Sequence, residues 1–275
     1  MNEKIKYWIK KNVPSRYIEL LFPAMVGVTK VPSKGATISD LFILRMEDNW
    51  QTFFELLNIN QIMNPTKREI KEERVSFLFY SSAGEFLGGK EIDLSIQMKK
   101  TIDVNHIANT LDITKDCLFS IFHKTPPKWF ESYNSFLAER GYTGYLNPEK
   151  GNIKSYVHGN LDSIAINSNK KTKLLGEVSL RQKEYRLQHT LDDNKEYELF
   201  FVNPSLKKQA IYFHEQRVAE ELKTQLIIPS GGMGKYVKPI RELQSSSRLI
   251  IKSKLPLARP VVFKHMETSF DVFHG

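Results

Sequence analysis

Phe53-Phe54-Glu55-Leu56-Leu57-Asn58 and, 145 positions further on, Glu198-Leu199-Phe200-Phe201-Val202-Asn203 are the two stretches on which the fold turns. Each is a short run of large apolar and aromatic residues carrying one carboxylate, and each closes on an asparagine. Runs of this length and composition favour strands. Pro65 and Pro204 fall in the loops that follow. Working outward, Val75–Tyr80 matches Ala210–His214, Ile92–Gln97 matches Gln225–Ile228, and Cys117–Phe122 matches Leu249–Lys252. Upstream, Ser39-Asp40-Leu41-Phe42-Ile43 parallels Leu161-Asp162-Ser163-Ile164-Ala165. The five pairs keep one order while their offset drifts from about 122 to 145 residues, as changes in loop length would cause. A period this long indicates a duplicated domain and not a solenoid.

Further short apolar runs, at Leu41–Met46, Tyr156–His158, Ser163–Asn167, Leu174–Leu180, Tyr185–Thr190 and Val261–Lys264, are separated by turn signals and read as strands. The turn Ser81-Ser82-Ala83-Gly84-Glu85 carries a glycine that can supply a positive φ. Helical signals are few. A short helix is expected from Glu3 to about Lys11, stopped by Pro14, and a turn within Gln216–Leu222. After Pro126-Pro127, the segment Lys128–Arg140 places Trp129, Phe130, Tyr133, Phe136 and Leu137 at helical spacing and ends at Gly141. The expected fold is therefore mainly β: two tandem antiparallel β-sandwich-like domains, residues 1–127 and 141–275, joined by a connecting amphipathic helix over residues 128–140.

With 275 residues, 41% of them hydrophobic and 26% charged, the chain can bury a real core and has no disordered composition. Its single cysteine, Cys117, rules out an intramolecular disulfide and a cysteine-built zinc site, and reads as a small core residue in an apolar strand. The N-terminal MNEKIKYWIKKNVPSRY has no apolar run that would serve a signal peptide, and no stretch approaches the ~20 apolar residues of a membrane-spanning helix. A cytoplasmic location is expected, unless a leader once preceded the chain. The net charge of +9 is uneven. Residues 1–127 carry 17 Lys and Arg against 15 Asp and Glu, and residues 128–275 carry 23 against 16, which points to an anionic partner for the second half.

The sharpest local feature is Lys235–Lys264, where Lys235, Lys238, Arg241, Arg248, Lys252, Lys254, Arg259 and Lys264 stand against Glu242 alone. On a strand, Arg248, Lys252 and Lys254 share one face, while Leu249, Ile251 and Leu255 face the core. Such a stripe suits phosphate, carboxylate or sulfate. An edge strand guarded by lysines is the competing structural explanation. Just before it, Pro229-Ser230-Gly231-Gly232-Met233-Gly234-Lys235 has three glycines beside a lysine, but Pro229 stands where a phosphate loop needs its first glycine, and Tyr236 where it needs Ser or Thr. A hairpin or bulge turn is the better account. Tyr142, Tyr145 and Tyr236 lie beside glycines and read as loop tyrosines able to stack on sugar rings. The histidines form no metal motif. His158, His189, His214 and His274 could gather only through the fold, and ordinary hydrogen-bonded histidines are the favoured account.

No nucleophile elbow, dinucleotide fingerprint or EF-hand loop is present. These features lead to a non-catalytic protein that binds an anionic ligand, preferably a phosphorylated or acidic saccharide, through Lys235, Lys238, Arg248, Lys252, Lys254, Tyr142, Tyr145 and Tyr236. No cofactor and no metal are expected, and nucleic acid is the less favoured anion, since most aromatics fall in core strands. The alternatives are a carbohydrate-active enzyme using His158 and Asp162, and a structural or assembly protein acting through protein contacts.

Overall fold

The computed structural model describes residues 36–58, 74–94, 99–123, 137–139, 141–159, 161–166, 171–215, 224–238, 240–241, 245–255 and 259–275, with a few positions nearer the N-terminus. The first half holds β1 (Thr37–Ser39), β2 (Phe42–Leu44), β3 (Gln51–Leu57), β4 (Arg74–Tyr80), β5 (Phe86–Asp93) and β6 (Lys99–Asp103). There follow helix α1 (Val104–Asn109), β7 (Cys117–His123), β8 (Leu137–Glu139), β9 (Tyr142–Leu146), β10 (Ser155–His158), β11 (Ile164–Ile166) and β12 (Thr172–Leu174). The second half holds β13 (Lys183–Arg186), β14 (Leu191–Asp192), β15 (Glu196–Val202), β16 (Gln209–Glu215) and β17 (Thr224–Ile228). It continues with β18 (Met233–Lys238), β19 (Ser246–Ser247), β20 (Leu249–Ser253), β21 (Val261–His265) and β22 (Phe270–His274). The protein is mainly β.

Four antiparallel four-stranded sheets carry the architecture: sheet I in the order β10-β9-β3-β6, sheet II β2-β7-β4-β5, sheet III β18-β15-β21-β22, and sheet IV β13-β20-β16-β17. Setting aside the short β1, β8, β11, β12, β14 and β19, each half contributes eight strands in one spatial order. The first, sixth, third and fourth form one sheet, and the eighth, seventh, second and fifth form the other. The three sequence pairs drawn from β3, β4 and β7 fall on topologically equivalent strands of the second half, while Ile92–Gln97 meets β5 only at Ile92 and Asp93, and residues 95–97 lie outside those described. The fifth pair does not fall on equivalent strands. The strand at Ile164–Ile166 pairs antiparallel with β1 in a further sheet, β12-β11-β1-β8, and the place equivalent to β2 is taken by β13. Residue matching over five positions had no access to that long-range pairing.

Alternation builds the layers. On β3, Phe54 and Leu56 point inward, and they meet Val75, Phe77 and Phe79 of β4 and Cys117, Phe119 and Ile121 of β7, so sheets I and II share one core. Helix α1, capped by the Asp103 side chain on the His106 amide, closes that core with Val104, Ile107 and Ala108. On β15, Tyr197, Leu199 and Phe201 face Ile211 and Phe213 of β16 and Ile251 of β20, joining sheets III and IV. A third cluster binds the halves to each other: Phe200, Phe263, Phe270 and Val272 of sheet III pack on Ile43, Leu118 and Phe122 of sheet II and Tyr145 and Val157 of sheet I. Sheets II and III thus lie between the other two, with β5 at the edge of sheet II left exposed, and the outer faces of sheets I and IV are turned to solvent.

Two expectations about organisation meet the described residues only in part. Residues 128–140 were expected to form a connecting helix, but Leu137–Glu139 is a strand running parallel to β1; residues 124–136 lie outside those described. Glu139 is buried there, 2.6 Å from Nε2 of the equally buried His123, a long-range pairing that fixes the segment whatever its local spacing favours. The boundary at residue 141 does not divide the sheets either. Strand β9 lies between β10 and β3 and completes sheet I, and β11 pairs with β1. Near the N-terminus, residues 8, 9, 11 and 12 are helical, with the Val13 amide donating to Ile9; the rest of the expected helix, and Gln216–Leu222, lie outside the described residues.

Candidate functional site

The glycine-rich stretch before Lys235 is a turn and not a phosphate cradle. It links β17 to β18 and lies backbone to backbone against the β4–β5 turn of the first half: the Met233 amide donates to the Ser82 carbonyl at 3.0 Å. A Cβ added at Gly84 would stand 2.0 Å from the Ser230 carbonyl oxygen, and one at Gly232 would stand 2.3 Å from that of Ser82. Gly84 and Gly231 also hold positive φ, at 86° and 65°. The glycines are there because two turns from different halves touch.

Beside this contact lies a buried group of charges. The Arg45 guanidinium pairs with Asp116 at 2.7 Å and with Glu198 at 2.8 Å, and its Cζ lies 4.9 Å from the ring centroids of Trp50, Phe200 and Phe263. Glu198 also takes Lys235 at 2.9 Å and His265 at 3.1 Å. Burial by itself pushes the Glu198 carboxyl up, but the His265 hydrogen bond and the Arg45 and Lys235 cations outweigh it and hold the group far below the usual carboxylate range. Lys235 is therefore committed to a joint between the halves, although its side chain also lines a cleft of about 490 Å3 with Asp116, Lys115, Ser81, Ser82 and Met233.

The structure disperses the other residues singled out by sequence. Lys238 is buried, with its ammonium 3.1 Å from Asp193 and donating to the Asp192 carbonyl at 3.2 Å, so it is a core ion pair and closed to ligands. Tyr145 is a core residue of β9 whose hydroxyl donates to the Ile43 carbonyl at 2.9 Å; burial pushes its phenol far up. Tyr236 belongs to β18, stacks on Phe213 with 4.4 Å between centroids, and has its phenol pushed up to about 12 by burial. Neither is a loop tyrosine. Tyr142 is exposed, but it too lies on a strand, at the start of β9. Cys117 is buried, and its thiol is pushed up to about 12 by burial, with the Asp116 charge adding to it.

Of the four scattered histidines, His158 and His274 do meet, with centroids 4.9 Å apart and His274 Nε2 2.6 Å from the His158 carbonyl. His158 Nδ1 lies 2.7 Å from the Gly159 carbonyl. Both residues line a small, partly open pocket of about 40 Å3. His189 packs on Phe273, and His214 sits on another sheet. Asp162 lies in the loop ahead of β11. Among the described residues, no three His, Cys, Asp or Glu side chains come together as metal ligands.

Lys252 and Lys254 do converge. Period-two alternation on β20 turns Arg248, Lys252 and Lys254 outward and buries Leu249, Ile251 and Leu255 in the core shared by sheets III and IV. Lys252 stands directly opposite Tyr212 of β16 and Glu184 of β13. Lys252 and Tyr212, together with Lys254, Gln182, Gln209 and His214, line an open hollow of about 430 Å3 on the outer face of sheet IV; Arg248 and Glu184 are not among its lining residues. Glu184 approaches the Lys252 ammonium at 3.8 Å, a loose and partly exposed pair that a stronger anion can displace. Tyr212 and the two glutamines were not picked out by sequence, and His214 was considered there only among histidines that might gather at a metal; Gln209, Tyr212 and His214 reach the hollow from β16, and Gln182 from the residue before β13. Compared with known protein families, curated proteins and solved structures, the chain matches none, so the site is read from its own geometry.

Proposed function

We propose that this protein binds an anionic ligand without catalysis, that a phosphorylated or acidic saccharide is the preferred class, and that the hollow on sheet IV is the site. The observation that carries this reading is the convergence of Lys252 and Lys254 with Tyr212, His214, Gln182 and Gln209 around one open hollow. Two ammonium groups supply charge-assisted hydrogen bonds to phosphate or carboxylate. The glutamine amides and the Tyr212 hydroxyl offer neutral partners for sugar hydroxyls, and the exposed Tyr212 ring offers a flat apolar face. The hollow is large enough for a sugar phosphate and opens to solvent. The shared eight-strand order of the two halves supports descent from one duplicated unit. A cytoplasmic location belongs to the same proposal.

The test is isothermal titration with hexose phosphates, uronic-acid oligosaccharides and short nucleic acids at two salt concentrations. Saturable, salt-sensitive binding of a saccharide anion that is lost in the Lys252→Gln/Lys254→Gln variant supports the proposal. Affinity unchanged in that variant overturns it. Binding of nucleic acid alone transfers the site to another ligand class.

A further inference from the structure

The outer face of sheet I, opposite in character to the hollow on sheet IV, presents a flat aromatic surface. Tyr156 of β10, Gly144 of β9 and Phe53 of β3 lie in one cross-strand row, and His158, Tyr142 and Glu55 lie in the next. A Cβ at Gly144 would stand 2.5 Å from Cε1 of Tyr156, so the tyrosine ring lies across the bare backbone of β9. Only glycine permits that, which explains why a glycine occupies the middle of a paired strand, where it otherwise costs stability. The ring is 42% exposed, and Tyr142 on the adjoining row is 51% exposed.

The rim of this surface is polar and held in place. The Tyr156 hydroxyl reaches the Glu55 carboxylate, which takes the Lys99 ammonium at 2.8 Å and the Thr101 hydroxyl at 2.9 Å. Lys154 rests its ammonium 3.7 Å from the centre of the Phe53 ring. Along these rows, Lys99 and Lys154 are balanced by Glu55 and Asp103, so the face has no net charge to attract a polyanion. A flat apolar ring bordered by fixed donors and acceptors, on a neutral face, matches a pyranose ring, which has one apolar face and a rim of hydroxyls.

We propose that this face binds a neutral saccharide chain, with one sugar ring stacked on Tyr156, a second beside Tyr142, and hydroxyls bonded to Glu55, Lys99 and Thr101. This goes beyond the anion site on sheet IV, and either can fail without the other. The test is saturation-transfer NMR and titration calorimetry on the full chain. Hexaoses of glucose, xylose, mannose and N-acetylglucosamine serve as probes at millimolar concentration, with an oligouridine as the nucleic-acid comparison. The expected result is saturable binding of at least one hexaose, weakened about tenfold or more by Tyr156→Ala and separately by Tyr142→Ala, and unchanged by Lys252→Gln/Lys254→Gln. Should Tyr156→Ala fail to fold, the exposed Tyr142→Ala carries the test. Failure of every hexaose to bind, wild-type affinity in both tyrosine variants, or binding of oligouridine in place of all the hexaoses overturns the proposal.

Discussion

Replacing Glu198 with Gln keeps the shape of the side chain and removes its charge, which leaves buried Arg45 with Asp116 as its one carboxylate partner. The guanidinium is about 1% exposed and ringed by Trp50, Phe200 and Phe263, so water cannot replace the lost carboxylate. Breaking a buried pair by removing one partner costs about 3–5 kcal/mol. Asp116 remains, which places the expected loss near 3 kcal/mol, and a urea dependence of about 3 kcal/mol per molar converts that into a midpoint about 1 M lower. Trp50, packed edge-on against Phe263 and Phe270, lies close enough to report unfolding of the joint by fluorescence. The sign of the pH dependence follows from the depressed Glu198 carboxyl. Its stabilising contribution is present above the unfolded carboxylate value, near 4.5, and is lost as pH falls through that value toward the folded one. The gap between wild type and variant is therefore full at neutral pH and narrows in acid below about pH 4.5. A loss within about 0.5 kcal/mol, as for an ordinary surface change, would refute the reasoning, and so would a gap of equal size on both sides of the carboxylate range.

Gly84→Ala forces a left-handed residue and a methyl group into the Ser230 carbonyl, and should lower the thermal midpoint by ~4 °C or more; an unchanged midpoint would show that the two turns do not touch in solution. Tyr145→Phe removes one buried hydrogen bond to Ile43 and should cost about 1 kcal/mol in chemical denaturation while leaving ligand affinity untouched. A change in affinity would return Tyr145 to the binding site. Cys117 should resist a thiol reagent in the folded protein and react in denaturant; rapid labelling without denaturant would contradict its burial.

Alternation and composition made the strands legible where both faces of the run are regular, as at β3, β4, β7, β15 and β16. They failed where a glycine interrupts. Tyr142–Leu146 and Met233–Lys238 are strands whose tyrosines sequence takes for loop residues, and the strand Phe86–Asp93 is read from sequence only at Ile92 and Asp93; Gly144, Gly234 and Gly89 interrupt these strands. Each of these glycines is demanded by another element. Gly144 lies under the Tyr156 ring, Gly234 beside Leu226 and Ile228, and Gly89 against Leu78. The same limit governs the site. The facing of Lys252 and Lys254 follows from their spacing on one strand, but Tyr212 and Gln182 join them only through pairing and proximity that no local rule encodes. Lys238 looks identical to them in sequence, and only the distant Asp193 makes it a core ion pair.

The equivalent strands β3 and β15 show how one strand order can serve two ends. At positions 145 apart, Phe53, Glu55 and Leu57 on the outer face of sheet I correspond to Glu198, Phe200 and Val202 on sheet III. On sheet III that face is interior: Phe200 and Val202 pack against the first half, and Glu198 is neutralised by Arg45, Lys235 and His265. An unmatched copy of such a surface on sheet I would invite head-to-tail association, since a heterologous contact that does not close propagates. Sheet I avoids this by its chemistry. Glu55 in place of an aromatic, bonded to Lys99 and Thr101, keeps an ion pair on the face, and apolar packing there would desolvate the exposed Lys99 ammonium without supplying a buried guanidinium in return. The arrangement favours a small hydroxyl-rich ligand on sheet I over a second protein surface, and it makes a direct prediction. Glu55→Phe with Thr101→Val should turn the face apolar and drive concentration-dependent self-association, visible by sedimentation velocity as species larger than the wild type. A double variant that sediments as the wild type does would show that the polar rim is not what keeps this face open.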